Sequence, residues 1–326
     1  MKTNLFIIYA FVLFCTGIQV YSQDYTNLNP VEDFTYEEHS ANVEATETLS
    51  LSGSNQGTAT RSTVSTTRSA SSGIGETQGA LSVSLTGGAN YTVPIAVPPG
   101  IAGVAPEIAI SYNSQGSNGI AGWGWGISGL STITRIPATK YHDGVLDPVD
   151  FDNKDRFALD GQRLMLKGGS YGANGAIYQT EKYSNLKITS HGTSPYGAAY
   201  GPAYFTVLYP DGSRAHYGLT NGGRSQLEYA ITNWDNPQGI RINYHYKIIG
   251  NDTRTLSIDR ITYGAKKSAA PINEIKFEYY TRERGEHSNA GGLGFVRKSL
   301  LKKIKVTANG TAYRNYELTH DHTLMG

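Results

Sequence analysis

The chain has 326 residues, with 28 Lys and Arg against 27 Asp and Glu, 38 Gly, 23 Tyr and one Cys. The charge balance offers no general attraction to nucleic acid or to an anionic membrane, and a lone thiol excludes a disulfide framework and a thiolate metal site.

At the N-terminus, Met1 and Lys2 precede an apolar run, Leu5 to Ile18, followed by Val20, Tyr21 and Ser22. One early positive charge, an apolar core too short to span a bilayer comfortably and a small residue at Ser22 describe a signal peptide over residues 1–22, cleaved after Ser22. The competing reading is an uncleaved anchor. The expectation is a secreted, extracellular or cell-surface protein that meets a membrane only during export. Cys15 lies inside the run behind the bulky Phe14, which does not suit a lipid-modified cysteine, so the mature chain has no thiol nucleophile either. Lys2 leaves with the signal, and the remaining basic and acidic residues are equal in number.

Residues 23–79 are rich in Ser, Thr, Asn, Glu and Gly, with too few large apolar side chains to offset the entropy of ordering a backbone. They are expected to form a low-complexity, disordered leader, with a short helix between Glu32 and Glu47 as the alternative. Residues 80–326 are expected to be one all-β domain of antiparallel sheets, since the Gly and Tyr content is high and no convincing amphipathic helix is visible.

Between Gly88 and Arg135, Tyr91, Val93, Ile95 and Val97 share one parity, as do Ile108, Ile110 and Tyr112, so each run puts its large side chains on one face of a sheet. Pro98, Pro99, Gly100 and Pro106 punctuate these strands. Further along, Ser257 to Tyr263 and Ile275, Phe277 and Tyr279 give strands. Ile240, Ile242, Tyr244, Tyr246 and Ile248 alternate with Arg241, Asn243, His245 and Lys247, the period of a half-buried strand. Pro210-Asp211-Gly212 predicts a hairpin between Phe205–Tyr209 and Arg214–Tyr217, and Asn309-Gly310 another between Ile304–Val306 and Tyr313–Leu318.

The wording of several segments resembles the opening module of SpvB-type proteins, a family that includes the Salmonella virulence plasmid B protein, the B components of insecticidal toxin complexes and related Rhs proteins. The carriers are IAVPPG (Ile95 to Gly100), APEIAISYNS (Ala105 to Ser114), SNGIAGWGW (Ser117 to Trp125) and ISGLSTITR (Ile127 to Arg135). DRFALDGQRL (Asp155 to Leu164), WDNPQGIRINYHY (Trp234 to Tyr246), ITYG (Ile261 to Gly264), IKFEYY (Ile275 to Tyr280) and YRNYEL (Tyr313 to Leu318) extend the likeness over most of Ala80 to Leu318. It departs at Ala158, where relatives often have cysteine, and no YD-type Rhs repeat appears. The resemblance implies part of a large β shell that encloses and delivers a C-terminal effector, with a larger Rhs or toxin-complex polypeptide, encoded nearby, as the expected partner. It also implies structural roles for Pro98, Pro99, Gly100, Pro106, Gly119, Gly122, Trp123 and Trp125. A last strand through Leu318 is expected to leave a β edge, so either the chain is a truncated member or a partner completes the sheet.

Several clusters are weighed for chemistry. Among Asp147, Asp150, Asp152, Asp155 and Asp160, the weak calcium candidate is Asp150, Asp152 and Asp155; Lys154 stands where an EF-hand needs oxygen, and turns stabilised by their own Asp side chains are the better-founded reading. Trp123 and Trp125, spaced by Gly124, are expected on one face of a strand, as a platform for a sugar or peptide or, with more support, as core packing. His320 and His322 lack a third ligand and are expected to be exposed. Arg297, Lys298, Lys302, Lys303 and Lys305 are expected to be solvated or to protect an edge. Glu283 and Glu286 have the wrong spacing for the Glu-x-Glu pair of the ADP-ribosyltransferases that some relatives carry, so that activity is not transferred. No GxSxG elbow and no convergent acid, base and nucleophile set is visible, so no enzyme is expected and no cofactor beyond the calcium candidate. The reading with most support is a secreted, non-enzymatic shell module; the alternative is a cell-surface carbohydrate- or receptor-binding adhesin.

Overall fold

The computed structural model describes residues 77–320. The expected signal peptide, all but the end of the leader, and His322 lie outside them.

A four-stranded antiparallel sheet comes first, in the order β1 (Ala80–Val83), β2 (Ala89–Pro94), β3 (Ala109–Asn113) and β6 (Trp125–Ser128). A two-stranded ribbon, β4 (Asn118–Gly119) and β5 (Gly122–Trp123), lies between β3 and β6 in sequence. The alternation read from sequence holds: Ile95, Ile108 and Ile110 are buried, and Val93 and Val97 pack against them.

The second assembly is a thirteen-stranded antiparallel sheet. Eight of its strands are β7 (Thr132–Ile136), β8 (Arg156–Leu159), β9 (Gln162–Gly168), β10 (Ile177–Thr180), β11 (Lys187–His191), β12 (Tyr204–Leu208), β13 (Arg214–Tyr217) and β14 (Glu228–Asp235). Each of β7 to β13 pairs with the next, and β14 pairs back with β7, which closes an eight-stranded barrel. A ring of that size has an interior that side chains can fill. Phe157, Phe205 and Tyr229 do so, with ring centroids 5.0–6.0 Å apart, and Tyr178 and Ile188 join them without exposure to solvent.

The remaining strands, β15 (Ile240–Lys247), β16 (Ser257–Lys266), β17 (Asn273–Ala290), β18 (Leu293–Ala308) and β19 (Thr311–Glu317), continue the sheet as a meander from β14. β14 serves both the barrel and the meander, pairing with β7 through Glu228–Ala230 and with β15 through Asn233–Asp235. Both predicted hairpins form: Asp211 Oδ1 accepts from the Ser213 amide at 2.9 Å, and Asn309 and Gly310 take φ of 48° and 76° between β18 and β19. Ile240, Ile242 and Tyr244 are buried as their spacing predicts, whereas Ile248 is exposed, because β15 ends at Lys247. The all-β class is as expected.

Truncating Phe205 to Ala is expected to lower unfolding stability by about 3–5 kcal/mol, the range for a large aromatic removed from a core. Leu166→Ala, at an exposed site on the same barrel, is expected to stay within about 0.5 kcal/mol. Denaturant unfolding of the two variants checks the pair.

Candidate functional site

Proline has no amide to donate, so the corner after β2 cannot close a ladder of its own. It is held by side chains of the meander instead. The buried Tyr263 hydroxyl donates to the Pro98 carbonyl at 2.7 Å, Asn273 Nδ2 to the Pro99 carbonyl at 3.4 Å, and the Ala96 amide donates to the Tyr316 hydroxyl at 2.7 Å. Pro98 and Pro106 are buried and Pro99 is exposed. Gly100 and Gly119 are positions of close approach, where a Cβ would overlap the carbonyl oxygens of Val104 and Trp125 respectively.

The two tryptophans separate. Gly124 takes φ of 73° between β5 and β6, so the indoles do not share one strand face. Trp125 is half-buried, 5.1 Å from Tyr112 and 6.4 Å from Tyr91 between ring centroids. Trp123 is 69% exposed. The expectation that both indoles share one strand face is therefore corrected: Trp125 packs as the core reading has it and Trp123 is exposed, and Gly122 beside Trp123 lies against the His320 ring.

The acidic loop also divides. Asp155 is buried, and its carboxylate takes Arg135 Nη1 at 3.0 Å and the amides of Asp150 and Phe151 at 3.2 and 3.0 Å. Burial pushes its carboxyl up, against the opposing pull of Arg135 and those amides. The Arg135 guanidinium also donates to the carbonyls of Gln226 and Tyr200 and lies 5.2 Å from the Phe157 ring centroid. Asp155 is thus unavailable as an ion ligand, a correction to the sequence-level trio. Asp147 takes its place: ligand atoms of Asp147, Asp150 and Asp152 lie within 4.8 Å of one another. The Lys154 ammonium, 3.9 Å from both Asp147 and Asp152, already supplies positive charge there. Asp160 instead caps the start of β7, accepting from the Ser131 hydroxyl and the Thr132 amide.

Nearby, Asp143 closes a one-turn helix, Lys140–Asp143, capped by Thr139. Its carboxylate accepts from the Thr139 amide at 2.8 Å, from Arg156 Nε at 2.7 Å and from Arg163 Nη2. Burial alone would raise this carboxyl, but the amide and the two guanidiniums outweigh it and hold it below the usual carboxylate range.

His320 is not an exposed polar residue. Its Nδ1 accepts from the Tyr280 hydroxyl and its Nε2 donates to the Ala121 carbonyl at 3.0 Å, which ties the end of the described chain to the β4–β5 ribbon. The basic run lies on β18, which has neighbours on both sides and so protects no edge. Two of its members pair with carboxylates, Lys303 with Glu317 and Lys305 with Glu278. Glu283 and Glu286 both fall in β17.

Sequence reading missed a polar cleft of about 460 Å³. Its walls come from Ser117 and Asn118, from Ser225 to Glu228 at the start of β14, from Arg254 and Thr255, and from the β17–β18 hairpin with Glu286 and Arg297. Burial raises the Glu228 carboxyl, opposed by the charge of Arg297 and the Leu256 amide. The segments are far apart in the chain, so no spacing could have announced the cleft.

Among the described residues no helix is long and apolar enough to cross a membrane. Residues 83–197 match the family model described as Salmonella virulence plasmid 65kDa B protein, SpvB. No curated protein matches the chain. Three solved structures are similar in fold. The TcdB2-TccC3-TEV crystal structure has a TM-score of 0.57 at 18% identity, covering 78% of this chain and 15% of that one. The Tc holotoxin pore of Photorhabdus luminescens has a TM-score of 0.56 at 17% identity, covering 72% and 14%. The N-terminal domain of the effector protein SpvB from Salmonella typhimurium strain LT2 has a TM-score of 0.51 at 17% identity, covering 66% and 87%. The chain thus spans about one seventh of the length of the toxin-complex chains it matches.

Two measurements test the carboxylate assignments. Asp143→Asn is expected to lower stability at neutral pH by about 1–3 kcal/mol, the cost of unbalancing a buried, charge-assisted hydrogen-bond set. Because the folded carboxyl is depressed, its contribution is present above the ordinary carboxylate range and is lost as pH falls through the folded value, so wild type and variant should converge below about pH 4. For the Asp147, Asp150 and Asp152 cluster, chelation and readdition of calcium should leave the melting temperature unmoved; a rise of several degrees with calcium would assign the cluster to the ion.

The motifs between Ile95 and Arg135 lie inside the matched segment, and residues 83–197 of this chain carry the SpvB family signature on an all-β fold similar to that of toxin-complex structures.

Proposed function

We propose that this chain is an exported, non-enzymatic structural module that forms part of the wall of a β shell enclosing or delivering a toxin or effector, in association with a larger toxin-complex or Rhs-type polypeptide. The observation that carries the reading is the unbroken antiparallel order from the closed barrel through β14 and the meander to β19. Such a surface suits a wall element, and among the described residues β19 lies at the edge of the sheet, a position of the kind that another strand covers.

Two further features support a structural role. Buried and half-buried carboxylates are spent on arginines within the wall, as in Asp155 with Arg135, Asp143 with Arg156 and Arg163, and Asp235 with Arg241. Pro98, Pro106, Gly100 and Gly119 sit where chain geometry demands them, which is the role the family likeness implies. Export is supported by the apolar run from Leu5 to Ile18. The adhesin alternative retains one supporting feature, the exposed Trp123.

Tagged full-length chain purified from its native host is expected to bring down a longer polypeptide in a stoichiometric complex, identified by mass spectrometry as Rhs-type or toxin-complex-type. Recovery of the monomer alone, from both culture medium and cell fractions, would overturn the proposal.

A further inference from the structure

The cleft beside the β17–β18 hairpin combines two kinds of charge. Arg254 and Arg297 face it together with Glu228 and Glu286; Arg135, whose guanidinium is engaged by Asp155, and His287 also line it, and Leu227 and Phe295 are the only apolar residues of the lining. A phosphate or carboxylate entering it meets two carboxyl groups, an ammonium meets two guanidiniums, and an apolar ligand would strip water from both signs of charge without replacing it. A neutral polyhydroxylated ligand meets neither difficulty. Each hydroxyl can donate to a carboxylate and accept from a guanidinium.

The second observation is the exposed indole. Trp123 stands directly opposite Asn118 in the β4–β5 ribbon, so the two side chains project from the same face. Asn118 lines the cleft and donates to Glu286 Oε1 at 2.7 Å. Trp123 therefore neighbours a residue of the cleft wall, with most of its own surface free. An open aromatic face beside a set of fixed donors and acceptors suits a sugar ring, which has an apolar C–H face and a polar edge.

The arginine wall is rigid before any ligand arrives. Thr253 and Val296 exchange backbone hydrogen bonds of 2.7 and 3.0 Å, and the Thr255 hydroxyl donates to the Val296 carbonyl at 3.2 Å. Between them Arg254 is held at φ of 55°, a conformation that L side chains rarely adopt, and its Nη1 donates to the Gly294 carbonyl at 3.1 Å. Fixing these groups in the free protein lowers the ordering cost of binding. The volume of about 460 Å³ lies within the range of small-molecule sites.

We propose that this cleft, with Trp123 next to its wall, binds a neutral saccharide of one or two rings. The proposal is independent of the shell role and holds or fails by itself. Full-length protein is screened on an array of neutral mono- and oligosaccharides, with sialylated and sulfated glycans and inorganic phosphate as comparators, and hits are titrated by calorimetry. A neutral sugar is expected to bind saturably, and Trp123→Ala, Arg254→Gln and Glu286→Gln are each expected to weaken it about tenfold or more, the worth of one good contact. Trp123 and the Glu286 side chain are 69% and 48% exposed, so those two variants are expected to keep the wild-type circular dichroism and melting temperature. The proposal is overturned if no neutral glycan binds at millimolar concentration, if only phosphate or charged glycans bind, or if folded Trp123→Ala and Glu286→Gln bind a neutral sugar as tightly as wild type.

Discussion

The hydrogen bond from Tyr263 to the Pro98 carbonyl ties the corner of the four-stranded sheet to the thirteen-stranded one. A Pro-Pro-Gly corner turns the chain sharply but leaves carbonyl groups with no strand partner, and a buried carbonyl without a partner is costly. Strands β16 and β17 answer that need with Tyr263 and Asn273, and Tyr316 of β19 accepts from the Ala96 amide beside them. Burial, helped by the nearby Tyr313, pushes the Tyr263 hydroxyl up to about 12, so it remains a neutral donor throughout the physiological range. The corner is thereby a joint between segments more than 160 residues apart. Ile95 and Ile108 are buried beside it in the same apolar core as Tyr263 and Ile275.

The barrel solves a different problem. Its eight strands are short and would expose two edges as an open sheet, and closure through β13 and β14 removes both. Aromatic rings fill the interior, while Arg135 and Asp155 form a buried ion pair beneath Phe157 and Tyr200. Such a pair contributes little net stability against an apolar replacement, but removing either partner strands a buried charge. Its value lies in position, since it fixes the loop before β8 against the end of β7.

Much of this was legible in sequence because strand periodicity and turn chemistry are local. The parity of Ile108 and Ile110, the alternation from Ile240 to Tyr244 and the Asn309-Gly310 turn each depend on neighbours a few residues away. What was not legible depends on partners distant in the chain. Asp155 looked like its fellow acids until Arg135 was seen to claim it, and Trp123 looked like Trp125 until the left-handed Gly124 parted them. His320 had no visible partner because Tyr280 and Ala121 reach it only through the fold. Barrel closure likewise rests on a pairing that no single hairpin predicts, and the cleft brings Asn118 to Glu286 across 168 positions.

The sharing of β14 between barrel and meander gives the large sheet a direction. With β13 turned back onto β14, the strand order of the large sheet has, among the described residues, a sealed beginning and one open end at β19. That sheet is therefore polar in the sense that a capped filament is polar: strands can be appended at one end only, and the barrel fixes where counting starts.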